Sequence, residues 1–368
     1  MEIIRILCES PIFAPRMLPN TLTYFPDGLV KGIELPERFT YPFCYEPHPL
    51  TLIAVTALQH YLETQADLDH NFGLTQGREG AATGKMFGVL VVRDGAGDLG
   101  YLSAFSGKLA GSNHHPGFVP PVFDMLEENG FFVKGIQTIN TINQQIRKLV
   151  ADDGYTNLKQ DLERSAALSV QETDGLKKKL KINKVARKKL RAELQGEDDG
   201  GIAEAELVRR SLYDKHLLTV LVAKWDQALK EKRAVMESYE ASIDALKNKR
   251  KERSAALQQQ LFEHYEFMNR YGDRKSLQAI FNDTATGTPP SAAGECATPK
   301  LLQYAFLNGY EPLAMAEFWW GASPASGVMK HKQFYPACTD RCKPILEHML
   351  KGMAIEQEPT IKDEQSKL

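Results

Sequence analysis

The segment GECATPKLLQYAFLNGYEPLAMAEFWWGASPASGVMKHKQFYPACTDRCKPILEHM, residues 294–349, decides the fold class. Its pattern predicts a helix, a strand and a second helix, at residues 298–308, 312–320 and 339–352. Thr298 is a favoured N-cap, and Gly309 is a favoured stop for the first helix. The strand is apolar except for Glu317, which predicts burial on both faces. The segment therefore indicates a fold that mixes helices with a sheet.

Three of the five cysteines lie in this segment, and they predict a zinc site. Cys296 precedes the first helix, and Cys338 and Cys342 bracket the start of the second. Thiolates near helix starts are favoured zinc ligands, and Glu295 or His331 would supply the fourth donor. The Cys-x-x-x-Cys spacing is looser than the usual two-residue gap, and cysteine is also an ordinary core residue. Packing without a metal therefore stays open as an alternative.

A catalytic version of this site is a second interpretation. A helix, a strand and then a cysteine pair that opens another helix is the order found in zinc-dependent nucleobase deaminases, where a glutamate accompanies the first ligand. Here Glu295 precedes Cys296 instead of following a ligand by two residues, and the proline expected before the pair is displaced to Pro336. This alternative predicts stoichiometric zinc and dependence on Glu295.

Length and charge bound the remaining possibilities. The chain has 368 residues, 43% of them hydrophobic, which is enough for two or three domains. A net charge of -2 argues against a uniformly basic nucleic-acid binder, so such a role requires a local patch. No apolar run approaches the roughly 20 residues of a membrane span. An odd number of cysteines without a signal-peptide pattern predicts a reduced, cytoplasmic protein, and the final Ser-Lys-Leu is interpreted as an accident rather than a peroxisomal address.

Changes in composition divide the chain into five predicted parts. They are an N-terminal α+β domain (1–134), an antiparallel coiled-coil hairpin (135–281), a linker (282–293), a Cys- and Trp-rich helix-strand-helix module (294–352) and a polar tail (353–368). In the first part, residues 86–92 and 101–105 predict two strands joined by a turn. The loop 106–118 carries His114 and His115, which could contact phosphate or RNA, bind a metal, or serve only as a loop.

Residues 135–281 have the composition of long helices. Their later half places apolar residues at steps of three and four or at multiples of seven, which predicts a coiled-coil seam. The seam residues are Leu221, Trp225, Ala228, Val235, Tyr239, Ile243, Leu246, Leu257, Leu261, Tyr265 and Met268. The sequence QGEDDGG at 195–201 is unsuited to a helix interior and predicts the hairpin tip. Each arm would be about 60 residues long, or about 90 Å if continuous.

A strongly basic block precedes the predicted tip. Nine of the sixteen residues 176–191 are Lys or Arg and none is acidic. The nine are Lys177, Lys178, Lys179, Lys181, Lys184, Arg187, Lys188, Lys189 and Arg191. Such a block would project a positive field suited to RNA phosphates. The alternative is a solvated helix face that acidic residues of the partner arm neutralise, as is common in coiled coils.

Several long phrases of the sequence resemble one region of a known family. They are GKMFGVLVV (84–92), FSGKLAGSNHHPGFVPPVFDMLEENGFF (105–132), KERSAALQQQLFEHYEFMN (251–269), AGECATPKLLQYAFLNGYEPLAMAEFWWG (293–321) and FYPACTDRCKPILEHMLKG (334–352). These phrases are similar to the extension that precedes the catalytic domain in long bacterial RNA pseudouridine synthases of the RluA family. The resemblance covers nearly the whole chain. It implies RNA binding and substrate positioning for the isomerisation of uridine to pseudouridine in rRNA or tRNA.

The resemblance also implies where the chemistry lies. Members of the family are expected to carry an Arg-Leu-Asp-x-x-Thr type of motif, whose aspartate acts on the flipped uracil. The nearest match here, DTATG at residues 283–287, follows Phe281 and Asn282 instead of Arg and Leu, and it lies in a Thr- and Pro-rich linker. No catalytic residue is therefore assigned in this chain. The expected partners are an rRNA or tRNA and a pseudouridine synthase catalytic domain in cis or in trans.

Three classes of function follow from these observations. The first is an RNA-positioning module that uses the basic block, with Phe318, Trp319 and Trp320 either stacking on bases or packing in the core. The second is a catalytic zinc site of the deaminase kind. The third is a structural role, in which the coiled coil forms a homodimer and the cysteines only pack.

Overall fold

A four-stranded antiparallel sheet is the central element of the computed structural model, which describes residues 21–193 and 200–358. The elements in chain order are β1 (Leu22–Tyr24), α1 (Pro49–Thr64), β2 (Lys85–Arg93), β3 (Leu99–Phe105), α2 (Phe131–Val150), α3 (Asp153–Glu193), α4 (Gly200–His264), β4 (Glu266–Met268), β5 (Arg274–Ser276), α5 (Leu277–Phe281), α6 (Ala297–Leu307), β6 (Glu311–Trp320) and α7 (Thr339–Met349). The strand order is β1-β3-β2-β6, and β4 pairs with β5 in a separate hairpin. The predicted α+β class with a long helical hairpin is confirmed.

The two strands β2 and β6 are buried on both faces of the sheet. β2 lies between β3 and β6, so that Gly88 is opposite Ala104 on one side and Glu317 on the other. One face packs on α6 and α7 through residues such as Leu301 and Ile345, and the other face packs on α1. Helices on both faces exclude water from both strands, which explains why each is a nearly continuous apolar run.

The predicted elements lie close to the observed ones, with one informative shift. Residues 86–92, 101–105 and 312–320 fall within β2, β3 and β6. Helix α6, however, has Cys296 as its N-cap instead of the predicted Thr298. The backbone N–H of Thr298 donates to Glu317 Oε1 at 3.0 Å. A carboxylate from a neighbouring strand therefore satisfies this first-turn amide, and Thr298 lies inside the helix.

The described residues group into two compact units, and this grouping differs from the predicted division. One unit combines the residues up to Lys134 with those from Ala256 onward, and the other is Gly135–Ala255. Residues 294–352, predicted as a separate module, share the sheet with the N-terminal part because β6 pairs with β2. A strand with two buried faces needs a neighbour on each edge or a protected edge, and the N-terminal strands provide that neighbour.

Within the second unit, α3 and α4 run antiparallel. Trp225 Nε1 donates to Glu172 Oε2 at 2.9 Å, and Lys232 Nζ donates to Ser165 Oγ at 2.6 Å. In both pairs the mean of the two residue numbers is about 198, so the arms are related by a reversal of the chain near that residue, as in a helical hairpin. This midpoint agrees with the predicted tip at 195–201, most of which lies outside the described residues.

The coiled-coil seam is confirmed in its period, and three of its predicted residues, Val235, Tyr265 and Met268, are corrected. Leu229, Met236 and Ile243 are buried at steps of seven along α4. Val235, which the sequence placed in the seam, is 52% exposed, and Met236 occupies the buried position. Both residues are apolar, so spacing alone could not choose between neighbours when the helix phase drifts relative to a strict heptad.

The helical part ends earlier than predicted. α4 stops at His264, so Tyr265 and Met268 lie beyond the helix. Tyr265 is buried in the core of the sheet unit, and Met268 ends β4. Gly272, with a φ of 88°, permits the tight reversal between β4 and β5. The apolar spacing continues past this point, but the turn residues decide the structure.

None of the helices in the described part of the chain is long and apolar enough to cross a membrane.

Candidate metal centre and basic surface

The fold brings the three predicted cysteine ligands together. Cys296 is the N-cap of α6, Cys338 is the N-cap of α7, and Cys342 lies one turn into α7. Their Sγ atoms all lie within 4.8 Å of one another, and the Sγ atoms of Cys338 and Cys342 are 3.4 Å apart. Sulfur ligands of a tetrahedral zinc ion at about 2.3 Å would be about 3.8 Å apart. The three thiols could therefore hold a metal ion with small adjustments.

The electrostatics of the cluster favour a bound cation. Hydrogen bonds from the Cys296 and Cys342 thiols lower the pKa of Cys338, and the backbone N–H groups of the first turn of α7 lower it further. The hydrogen bond with Cys338 and burial raise the pKa of Cys296, and the hydrogen bonds with Cys296 and Cys338 raise the pKa of Cys342. Without a metal, the three thiols therefore disfavour more than one negative charge. A soft divalent cation can replace the two protons and stabilise three thiolates.

Neither residue predicted as the fourth ligand joins the cluster. The Tyr265 hydroxyl donates to the Glu295 carboxylate, and Lys300 Nζ lies 3.3 Å from Glu295 Oε2 in a nearly inaccessible ion pair. His331 Nδ1 accepts a hydrogen bond from the Gly321 N–H at 3.0 Å. The prediction of a fourth ligand was wrong for both residues. It rested on their nearness in sequence, whereas in the structure both side chains are held by other partners. Across residues 21–193 and 200–358, the cluster holds three donors.

Glu317 is the residue that the ligand prediction missed. It lies on β6, is 4% exposed, and accepts the Thr298 N–H in the first turn of α6, whose N-cap is Cys296. The pKa of Glu317 is raised to about 7, chiefly by burial, with a smaller contribution from the charge of Cys338 and an opposing one from the hydrogen bond of the Thr298 backbone. The sequence did contain a signal, because Glu317 is the single acidic residue in the apolar run 312–320. What it faces depends on the packing of α6 against the sheet.

The aromatic residues that follow Glu317 point to alternate faces. Phe318 and Trp320 are buried in the core on the α1 side, so they are not available as a platform for bases. Trp319 lies on the same face as Glu317 by strand alternation and is partly exposed. Its Nε1 donates to the Ala322 carbonyl at 3.0 Å. Of the three predicted aromatics, Trp319 alone has surface that a base could contact.

The two adjacent histidines do not form a metal pair. His114 Nε2 lies 2.9 Å from Asp124 Oδ2, whereas His115 Nε2 lies 2.7 Å from the Leu109 carbonyl oxygen. The rings therefore have separate partners, and each has a local role in holding the loop. This geometry favours the simple loop interpretation over a metal site.

The basic block lies on α3, and its charges divide into two groups. Arg187 and Arg191 pair with Asp214 and Glu204 of α4, as the coiled-coil alternative predicts. Lys177 and Lys189 pair with acidic residues of α3 itself. The remaining five are exposed, and within the described part of the chain no carboxylate lies within 4.0 Å of them. These five, called the free lysines below, are Lys178, Lys179, Lys181, Lys184 and Lys188.

Comparisons with known proteins add no assignment. The chain matches no family model, no curated protein and no solved structure. The function has to be argued from the two sites themselves, the three-cysteine cluster and the free lysines.

Proposed function

We propose that this chain is an RNA-binding region that positions rRNA or tRNA for an RluA-type pseudouridine synthase domain, supplied in cis or in trans in the cytoplasm. The observation that carries the proposal is the set of free lysines on α3. Salt bridges to the partner arm neutralise only part of the basic block, so most of its lysines are available to phosphates. The resemblance of the long sequence phrases to the extension of these synthases supplies the reaction.

The spacing of the free lysines suits a nucleic-acid backbone. From Lys178 to Lys188 the helix rises about 15 Å at 1.5 Å per residue. Long flexible side chains along that length can follow several successive phosphates and release their counterions. Lysine offers a mobile point charge without fixed geometry, so this surface would provide affinity and orientation more than sequence preference.

We also propose that the metal at the cysteine cluster is zinc. Three thiolates are soft donors that select zinc among the common divalent ions of proteins. Bound there, the ion would link the first turn of α6 to the first turn of α7. The zinc content of the purified chain, measured against a Cys338→Ser variant, tests this part separately from RNA binding.

RNA binding is tested by a salt series with two variants of equal charge. The test variant changes all five free lysines to Gln. The control variant changes five exposed basic residues of α4 to Gln, namely Lys230, Lys247, Lys249, Lys251 and Arg253. Affinity for unmodified rRNA and tRNA transcripts is measured by fluorescence anisotropy. The test variant should bind at least tenfold more weakly, and its slope of log affinity against log salt should fall by up to about 3.5.

The control variant decides whether position or only net charge matters. It should keep an affinity within about threefold of the wild type, because the register of the two arms places its basic residues opposite the part of α3 that precedes the free lysines, or opposite residues before α3. Equal losses in the two variants would contradict the proposal. Unchanged binding in the test variant would also contradict it. A concentration-dependent dimer without RNA affinity would instead favour the structural role, through exposed apolar residues of the hairpin such as Ile182, Val185 and Leu212.

A further inference from the structure

We propose that the cysteine cluster is a hydrolytic zinc centre, in which a water molecule completes the coordination, Glu317 accepts its proton, and the substrate is the amino-bearing ring of cytosine or adenine. This inference rests on the proposed zinc and adds a reaction to the RNA-binding function. It differs from the expectation based on sequence order in assigning the proton transfer to Glu317 in place of Glu295.

The number of protein donors favours a hydrolytic site over a structural one. Structural zinc sites are closed by four protein ligands, whereas catalytic sites have three protein ligands and one exchangeable position. The described residues supply three thiols and turn both candidate fourth ligands, Glu295 and His331, to other partners. Cys342 is buried and Cys338 is exposed, so the cluster has one side in the core and one side open to solvent. The open side gives water and substrate access to the metal.

The position and the burial of Glu317 favour its role as the proton acceptor. Its carboxylate, on β6, accepts a hydrogen bond from the N–H of Thr298. Thr298 is in the first turn of α6, two residues after Cys296, so this bond holds the carboxylate against that turn. No positively charged side chain in the described part of the chain pairs with it, because Lys300 is engaged by Glu295. A buried carboxylate without a cation is costly to keep and is a recognised mark of a functional site. Next to a metal it would gain a partner in the coordinated water.

Glu317 could instead have only a structural role at the start of α6, and this role predicts a different result for the Glu317→Gln variant. Cys296 makes no side-chain capping bond, so the Glu317 carboxylate could serve only as a substitute cap for α6. In that case Gln, whose amide oxygen also accepts a hydrogen bond, would replace Glu without loss of any activity. Proton transfer requires the acid itself, so the two accounts diverge for the Glu317→Gln variant.

Aromatic surface on the face of β6 that carries Glu317 favours a nucleobase as the substrate. Trp319 lies on the same face of β6 as Glu317 and is partly exposed. Aromatic side chains beside a reactive centre hold unstacked bases by their faces. An RNA-binding surface elsewhere on the chain would bring such bases to the protein. Hydrolysis at a ring carbon of such a base needs a leaving group, which an exocyclic amine supplies, so the proposed substrate class is a nucleobase with an exocyclic amine.

The reaction balances with water as the second reactant. The water gives a proton to Glu317, and its oxygen bonds to the ring carbon that carries the amine. Glu317 passes the proton to the ring nitrogen, and the remaining O–H proton moves to the amine. The C–N bond then breaks, ammonia leaves, and a ring carbonyl forms, so that cytosine becomes uracil or adenine becomes hypoxanthine. No oxidant or reductant is consumed.

The coordination is tested first, on the full chain loaded with zinc and, separately, with cobalt. X-ray absorption should show three sulfur neighbours and one oxygen neighbour. Added cyanide should change the visible absorption of the cobalt form, because an exchangeable position takes an external ligand. Four sulfur neighbours, or a cobalt spectrum that cyanide leaves unchanged, would overturn the inference. Cys8 is the cysteine outside the described residues, and it is tested as a fourth ligand. The same spectra on a Cys8→Ser variant should equal those of the wild type, and a change from four sulfurs to three would also overturn the inference.

The reaction is tested by ammonia release and by mass spectrometry of nucleosides. The probes are cytidine, adenosine and unmodified mixed-sequence RNA transcripts. Glu317→Gln should keep one zinc per chain and lose at least a hundredfold in rate, while the matched Glu311→Gln variant on the same strand stays within threefold. Equal rates for Glu317→Gln and wild type, or no ammonia from any probe, would refute deamination. Free nucleosides do not need the free lysines, so failure of RNA binding is recognised separately.

Discussion

Replacing Glu317 by Gln is expected to make the metal-free protein increasingly more stable than the wild type as the pH rises. The Glu317 carboxyl is buried, and its pKa in the folded chain is raised from 4.5 to about 7, chiefly by burial. The unfolded chain loses this proton at lower pH than the folded chain. Between pH 4.5 and about 7 the folded state therefore holds more protons, and wild-type stability falls as the pH rises.

The size of the effect follows from that pKa difference. A folded-state pKa of about 7 against 4.5 corresponds to about 3 kcal/mol lost when the carboxylate is fully ionised. Most of this loss, about 2.5 kcal/mol, should develop between pH 5 and pH 8. Gln keeps an oxygen to accept the Thr298 N–H but adds an NH₂ group, whose cost of burial does not depend on pH. The quantity to follow is therefore how the difference in unfolding free energy between Glu317→Gln and the wild type changes with pH.

The assay is urea unfolding of chelator-treated protein at pH 5, 6, 7 and 8. Tryptophan fluorescence reports the sheet unit if Trp225 of α4 is changed to Phe in every variant, because the other two tryptophans are on β6. Glu311→Gln is the matched control. Glu311 is about half exposed and pairs with Arg93, so its effect should be small and nearly constant with pH.

A difference in unfolding free energy between Glu317→Gln and wild type that stays constant from pH 5 to pH 8 would contradict this prediction. It would mean that the carboxyl is hydrated or paired in the folded chain and ionises at its ordinary pKa. A pH-dependent difference equally present in Glu311→Gln would attribute the effect to net charge. Adding zinc should reduce the pH dependence, because a nearby cation favours the ionised carboxylate.

Three further predictions concern the cluster, the hairpin and the end of β6. Cys338→Ser should weaken zinc binding at least tenfold in competition with a chromophoric chelator, and unchanged affinity would exclude Cys338 as a ligand. Asp214→Ala should lower the unfolding free energy by about 3 kcal/mol in circular-dichroism melts, because it leaves Arg187 largely buried without its partner; a loss below about 0.5 kcal/mol would contradict this. Gly321→Ala should cost at least about 2 kcal/mol in urea unfolding, since its Cβ would lie 2.5 Å from a backbone oxygen, whereas Gly309→Ala has open space and should cost less.

Much of the local structure could be predicted because it depends on short-range patterns. The apolar runs that became β2 and β6 follow from burial on both faces, and the seven-residue repeat along α4 follows from packing against one partner helix. The tip of the hairpin was predicted from residues that disfavour a helix, and the antiparallel contacts of the two arms agree with it. The ends of elements were less certain, as the N-cap of α6 and the early end of α4 at His264 show.

The candidate site could be predicted only in part. The cysteines were recognised by residue type and by their places at helix starts, and the structure brings all three together. Glu295 and His331 were proposed because they are near in sequence, but hydrogen bonds and an ion pair hold them elsewhere. Glu317 was visible as an acid in an apolar strand, yet its role depends on which helix covers that face.

Sequence alone was enough to recognise the apolar strands, the heptad repeat, the basic block and the cysteines, because each is a property of residues near one another along the chain. The tertiary contacts place β6 beside β2 and bring the first turns of α6 and α7 next to each other. They also place Glu317 against the first turn of α6. Tertiary structure also decided which lysines find an acidic partner on α4 and which remain free. The physical reason is that these contacts join residues far apart in the chain. Their register is set by packing and by buried hydrogen bonds, which local periodicity does not encode.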